Sequence, residues 1–426
     1  MDHPRKLLGL AVFFAAVLLG CSKPAESPKT GEPKLEASAN SESRIRVSRP
    51  DTEASEPVIA VGANGKLYVG YVEKASDGKS DLYVRTVDQA KILGEPVLVN
   101  PEHGQVKTWY GDPPTMAVAP DGTIYVGWTA IYPDSKKGTL LFVSASHDGG
   151  ATFAEPVKVH SDTAPASHGM HSLAVAPDGR IIAAWLDERY LNAATSHAGI
   201  DTHHTALLNA TPTPTTSSNE EAEPDAELYF SVSSDGGKTF AADHRIDTHV
   251  CPCCKASIAI GNDGSVYVGY RRVYEGSLRH ITIAASKDWQ TFAQPVQVSD
   301  DRWKIEACPV SGPALRFDNG RLAVAWYFGG EARDHGMYLA NASSVDARTF
   351  DVPQKIDTFE GGGTPAWAGD QLLWSNDGNI RTSIAGSPVS TQGEGRNIAA
   401  ARTDRNLAYA FVSVAESKKS IWIEIR

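Results

Sequence analysis

The chain has 426 residues, 41% of them hydrophobic, with 51 acidic against 40 basic side chains and a formal net charge of −11. The charges of both signs are dispersed, which excludes a nucleic-acid binder, whose footprint is a basic stripe or patch. The length exceeds what one hydrophobic core serves, so a radially repeated architecture or several domains are required.

Residues 1–20 read as a cleaved targeting segment. Arg5 and Lys6 precede an apolar run from Leu7 to Leu19, too short for a permanent membrane span. The run ends Leu18-Leu19-Gly20-Cys21, which resembles a bacterial lipobox and implies cleavage before Cys21 and lipidation of its thiol. Residues 21–50 are rich in Ser, Pro, Glu and Lys and read as a flexible tether. Ser22 beside the lipid implies the outer membrane, by analogy with Gram-negative sorting. The expected location is therefore the cell envelope, periplasmic or surface side, with the membrane engaged only through the lipid.

From residue 51 to 426 two patterns alternate. The first is Val58-Ile-Ala-Val-Gly-Ala-Asn-Gly-Lys-Leu-Tyr-Val-Gly-Tyr71, echoed at 116–128, 173–185, 258–270 and 314–326. Apolar runs around an Asn-Gly or Asp-Gly turn are hairpins. The second is Ser146-His-Asp-Gly-Gly-Ala-Thr-Phe153, returning as Ser233-Ser-Asp-Gly-Gly-Lys-Thr-Phe240, with shortened copies at 286–292 and 344–350. It is a tight turn between strands in which Asp148, Asp235, Asp288 and Asp346 accept hydrogen bonds from turn amides, a structural role. One hairpin of each kind makes a four-stranded unit. Starts near residues 57, 113, 171, 256 and 313 predict an all-β propeller of four-stranded antiparallel blades. Beyond residue 357 the pattern fades. Hairpins at 365–374 and 397–411 leave six or seven blades, and the last run, 420–426, can pair with Ile45-Arg46-Val47 and close the ring. The segment 191–226, with His197, His203 and His204 among Thr, Ser, Pro and Glu, reads as a low-complexity loop insertion.

Strand order puts both kinds of turn on one face and the remaining loops on the other, at the channel mouth, where ligand sites are built. The second set carries Trp109, Tyr110 and Asp112; His168 and His171; Asp187, Glu188 and Arg189; Cys251, Cys253 and Cys254; Arg271, Arg272 and Arg279; and Cys308. Counted back from the turn glycines, His168, Cys253, Cys254 and Cys308 occupy near-equivalent places in three successive units. The cysteines admit three readings: structural disulfides in an oxidising compartment, a redox Cys-Pro-x-Cys unit, or a copper or zinc site with His168 or His171. Asp187 and Arg189 are an acid/base beside an arginine clamp or an ion pair capping a strand. Tyr270, Arg271 and Arg272 bind an anion or stack around the channel.

The S-x-D-G-G-x-T-F turns resemble the Asp boxes of the sialidase superfamily over roughly residues 50–426. The chain is still more similar to bacterial sialidase-like lipoproteins with a C-x-C-C block and C-P-x-x-G-P, here Cys251-Pro-Cys-Cys254 and Cys308-Pro-Val-Ser-Gly-Pro313. The resemblance implies a sialidase-like propeller, a carbohydrate or other anionic ligand, and, for an enzyme, an exo-alpha-sialidase-like glycoside hydrolase. It matches Tyr270-Arg271, Arg279 and Arg396; together with the loop positions, the candidate catalytic residues are Asp187, Arg189, Arg271 and Arg279, and the candidate ligand contacts Trp109, Tyr110, Asp112, Tyr270, Arg272 and Arg396. The sialidase set is incomplete: the first-blade arginine is replaced by Ala54-Ser-Glu-Pro57, and the sixth hairpin carries Trp367 and no Tyr. The alternative is a periplasm-facing metal-handling, thiol-redox or assembly protein using Cys251, Cys253, Cys254 and Cys308, with a protein partner on the channel-mouth face.

Overall fold

The computed structural model describes residues 43–62, 65–132, 138–163, 165–190, 226–305, 309–384 and 387–426. Cys21, Cys308, residues 21–42 of the tether and nearly all of the insertion lie outside the described residues, whereas residues 43–50, read from sequence as tether, belong to the propeller, with Arg44–Arg46 in a strand and Val47 fully buried. The rest forms antiparallel four-stranded sheets arranged as seven successive blades. Blade 1 runs from Glu53–Val61 through Leu67–Lys74 and Ser80–Val87 to Val97–Leu98. Blades 2 to 7 begin with the strands Thr115–Val118, His168–Val175, Ser257–Ile260, Ala314–Asp318, Ala366–Ala368 and Arg396–Arg402. Blades 3 and 4 are joined by one pair, Val250 opposite Arg272.

The seventh blade settles the count left open by the sequence. Its outermost strand comes from the other end of the chain: Arg44, Ile45 and Arg46 pair with Glu424, Ile423 and Trp422. Arg44 Nε lies 2.8 Å from Glu424 Oε2 beneath that seam. Both ends are held in one sheet, so the ring keeps no free edge there.

Each second strand sends one aromatic side chain between blades: Tyr71, Trp128, Trp185, Tyr270, Trp326, Trp374 and Phe411, none more than 1% exposed. These are the closing residues of the hairpin repeats, and each such burial contributes on the order of 3 kcal/mol. A small residue precedes most of them because the next blade packs there. A Cβ on Gly127 would lie 2.8 Å from Thr115 Oγ1 and 3.3 Å from the His171 ring.

The Asp boxes are local turn locks. Asp148 Oδ1 accepts from Ser146 Oγ at 2.8 Å and from the amides of Ala151 and Thr152 at 3.0 and 2.9 Å, while Thr152 Oγ1 donates to Oδ2 at 2.6 Å. Asp235 and Asp288 repeat the pattern. At Asp346 the Ser344 hydroxyl takes over, accepting from the amides of Arg348 and Thr349. The bonds from Thr152 and Ser146 hold the Asp148 carboxyl well below the usual range. Lys66 Nζ, beside the first hairpin turn, donates to Gly149 O at 3.3 Å, so hairpin turns and Asp boxes share one face.

Candidate functional site

The opposite face opens into a cavity of about 520 Å³, lined by Glu56, Tyr110, Lys255, Val310, Thr364, Asn376, Asp377, Arg396 and Asn397 among others. Blades 1, 2, 4, 5, 6 and 7 all contribute, so it is the mouth of the central channel. The backbone around it is strained in a repeating way. Glu56, Met170, Val310 and Asn397 have φ of 58°, 52°, 44° and 47°, in or just before the first strands of alternate blades. The pairing slips at three of these places, between Ser55 and Val58, Gly169 and Ser172, and Arg396 and Ala399. Such bulges re-aim side chains and recur beside functional sites.

The chemistry centres on two carboxyl groups with opposite protonation. Asp112 lies between the lining residues Gly111 and Pro113. Its Oδ1 accepts from Lys255 Nζ at 3.0 Å and lies 3.2 Å from His171 Nδ1, and its Oδ2 accepts from Thr129 Oγ1 at 2.5 Å. Burial would raise its pKa, but the Lys255 charge and His171 outweigh it and hold Asp112 well below the usual range. Glu56 is 3% exposed, and its Oε2 has no hydrogen-bond partner. Burial, and then repulsion from Asp112, push Glu56 up to about 8. A protonated carboxyl therefore borders the cavity beside an ionised one, the divergence that marks acid and base assignments. Burial lowers the pKa of Lys255 and of His171, with Lys255 adding to the effect on His171.

Comparisons with known proteins follow the same architecture. No family model matches the chain, and none of the curated proteins does. Among solved structures, an ulvan lyase of polysaccharide lyase family 25 bound to a GlcA(1-4)Rha3S segment superposes with a TM-score of 0.52 at 11% identity, covering 90% of this chain and 95% of that one. An alpha-L-arabinanase of Penicillium chrysogenum with arabinobiose gives 0.49 at 13% identity, over 74% of this chain and 92% of that one. A Hadza microbial sialidase gives 0.46 at 15% identity, over 84% and 76%. The chain is a β-propeller, the fold it shares with that lyase.

The propeller distributes the residues singled out from sequence among five places. Tyr110 and Arg396 line the cavity, and Trp109 packs edge-on to Tyr110 at 5.8 Å. Asp112 and His171 form the buried centre just described. Tyr270, buried between blades, and Arg272 share Asp247: the Tyr270 hydroxyl donates at 2.6 Å and Arg272 Nε lies 2.9 Å away.

Asp187 and Arg189 do not line the cavity. They form a buried network between blades 2 and 3. Arg189 Nη2 lies 2.7 Å from Asp187 Oδ2 and also pairs with Asp243. His168 belongs to this network rather than to the cysteines. Its Nδ1 contacts Thr139 O at 2.7 Å, its Nε2 lies 3.0 Å from Asp162 Oδ1, and its ring stacks on His160 at 3.6 Å. Burial disfavours charge on His168, but Asp162 and Asp187 outweigh it and raise its pKa; burial and His168 push His160 down to about 4.

Cys251, Cys253 and Cys254 meet in a fifth place, with Sγ atoms 3.6 Å (Cys251–Cys253) and 3.5 Å (Cys251–Cys254) apart and no sulfur–sulfur bond among the three. Arg279 Nη1 donates to Cys251 Sγ at 2.8 Å, and Arg271 is fully buried against Trp303. Neither arginine lines the cavity. The joint Cys/His site read from the register is therefore separated. The bulge at Gly169–Ser172 turns His168 and His171 toward the carboxylates of blade 2.

Glu56 and Lys255 were missed by sequence reasoning. Both carried a signal. Glu56 is a lone acid followed by proline where the resemblance places an arginine, and Lys255 directly follows the cysteine block at a near-axis position.

Proposed function

We propose that this protein binds, and through Glu56 processes, an acidic glycan at the channel mouth. The observation that carries the reading is the buried Glu56 carboxyl on the cavity wall, whose Oε2 has no partner and whose pKa burial and Asp112 push up to about 8, together with Asp112, which Lys255 and His171 hold well below the usual range. Arg396 forms no ion pair among the described residues and offers a guanidinium to a uronate, sialate or sulfate group. Tyr110, 39% exposed, offers an aromatic face to a sugar ring. The cavity holds one or two sugar residues, and the polysaccharide lyase of the same fold, bound to a glucuronate and sulfated rhamnose segment, supports an acidic polymer over a neutral one. With Glu56 as proton donor, activity falls as pH rises past about 8 and its proton is lost.

The test presents the full chain with sialylated, uronate-containing and sulfated oligosaccharides, reading binding by calorimetry and cleavage by new chain ends. Arg396→Ala is expected to weaken binding at least tenfold and leave the melting temperature unchanged. Failure of every acidic glycan to bind, or unaltered binding by the variant, refutes the reading.

The location belongs to the same proposal: a lipid on Cys21 and a tether ahead of the strand at Arg44–Arg46 hold the propeller at the envelope, outer membrane side. Cys21→Ser is expected to move the protein from the membrane to the soluble fraction, and a variant that stays membrane-bound contradicts it.

A further inference from the structure

We infer that Cys251, Cys253 and Cys254 form a closed site for one soft d10 cation, copper(I) or zinc(II), counter-charged by Arg279 and Arg271. This is independent of the glycan reading. It starts from the chain path. Val250 ends the outer strand of blade 3, and Ser257 begins the inner strand of blade 4. Between them Cys251-Pro252-Cys253-Cys254 makes a tight turn. The Cys254 amide donates to Cys251 O at 3.4 Å, and Pro252 occupies the second position, where its fixed φ suits a turn. The Cys251 amide is anchored on Arg271 O at 2.9 Å. The turn thus gathers three thiols from four residues on one side.

The sulfur spacing fits a metal. A thiolate–metal distance of about 2.3 Å in tetrahedral geometry puts sulfurs about 3.8 Å apart. The separations of 3.6 and 3.5 Å are within a few tenths of that. All three ligand atoms lie within 4.8 Å of one another. Cys251 and Cys254 are fully buried and Cys253 is 3% exposed, so bulk water does not compete.

The charges around the thiols choose among the readings. Arg279 is 6% exposed, and its Nη1 donates to Cys251 Sγ. No carboxylate lies within ion-pair distance of it among the described residues. Arg271 is fully buried; its Nη2 donates to Ser311 O and Tyr327 O at 2.9 and 3.2 Å, while Nε and Nη1 have no partner. The nearby Asp301 pairs with Arg333. Arginine does not lose its proton, so the buried Arg279 on Cys251 Sγ, and the buried Arg271 whose carbonyl holds the Cys251 amide, need anionic partners. Three neutral thiols or a disulfide supply no charge. Three thiolates on a monovalent or divalent d10 cation leave a net charge of minus two or minus one, which the guanidinium groups balance. Soft thiolate ligands select copper(I) and zinc over magnesium, calcium or manganese. Binding releases one proton from each thiol to solvent, with no change of oxidation state.

The test uses the full chain, reduced and handled without oxygen, and titrated with copper(I) and separately with zinc(II) against chromophoric chelators. We expect one equivalent bound per chain and three sulfur ligands at about 2.3 Å by X-ray absorption. Cys253→Ser and Cys254→Ser are each expected to weaken binding at least 100-fold, with circular dichroism and a cooperative melting transition as the control for folding. The cation that resists exchange by the other is the one the site selects. Absence of stoichiometric binding by either metal to the wild-type chain overturns the inference. So does a nitrogen and oxygen shell, undiminished binding by both variants, or a disulfide among the three cysteines in the protein as isolated.

Discussion

Glu56→Gln is expected to stabilise the folded protein at neutral and alkaline pH while removing its proton-transfer chemistry. Burial and Asp112 raise the folded pKa to about 8 from an ordinary 4.5. Below pH 4.5 both folded and unfolded chains carry the proton, and nothing is lost. Between 4.5 and 8 the folded chain holds a proton that the unfolded chain has released, so stability falls as pH rises. At about 1.4 kcal/mol per pH unit, the penalty reaches on the order of 4 kcal/mol by pH 8. Glutamine carries no such penalty. The variant should therefore melt higher than wild type, by a margin that widens from pH 5 to pH 8 and then levels. Turnover of an acidic glycan should fall about 10²–10⁴-fold. Identical pH–stability curves for the two proteins would show that Glu56 is ordinarily ionised, and the acid role would go with it.

Lys255→Met should have the largest destabilising effect at the site. Lys255 Nζ donates to Asp112 Oδ1 at 3.0 Å and to Pro113 O at 2.8 Å, and only 18% of its side-chain surface is exposed. Removing it leaves the buried Asp112 carboxylate with Thr129 and His171 alone, at a cost of about 3–5 kcal/mol. His171 should compensate in part. Burial first, and then the Lys255 charge, lower its pKa in the wild type. Without Lys255, Asp112 should draw a proton onto it and raise that pKa relative to the wild type. The sign is then that of a partnered histidine: the rescue is complete at low pH and is lost as pH rises through the new folded pKa. The variant should approach wild-type stability near pH 5 and lose it by pH 8. Adding Asp112→Asn should recover most of the loss, because the two sites share one interaction. A Lys255→Met protein with wild-type stability at pH 8 would mean that Asp112 is not held by that charge.

Much of the fold was legible because propeller signals are local. The Asn-Gly and Asp-Gly turns, the Asp boxes and the closing aromatic of each hairpin are short patterns whose meaning does not depend on distant residues. Trp128, Trp185 and Trp326 sit where the repeat put them, each fully buried. The seventh blade was harder. Its repeat is compressed, and its outer strand, Arg44–Arg46, is contributed from the opposite end of the chain. The site was legible only as a face. Tyr110, Asp112 and Arg396 belonged to it; Arg271 and Arg279 did not reach the cavity, being committed to backbone carbonyls and to Cys251.

The sequence by itself determined the architecture: repeating hairpins dictate blades, and blades that pack side by side dictate a ring. It also determined which loops share the channel mouth, since antiparallel order alternates their ends. What only the tertiary structure decided is which of those side chains meet. Two residues on a propeller face are brought together by blade rotation and by bulges such as those at Ser55–Val58 and Gly169–Ser172, each of which redirects a side chain by one register step. Those deviations have no short-range signature, because they are set by packing against the neighbouring blade. For that reason Glu56, Asp112, His171 and Lys255, drawn from four blades, became one electrostatic unit only in three dimensions.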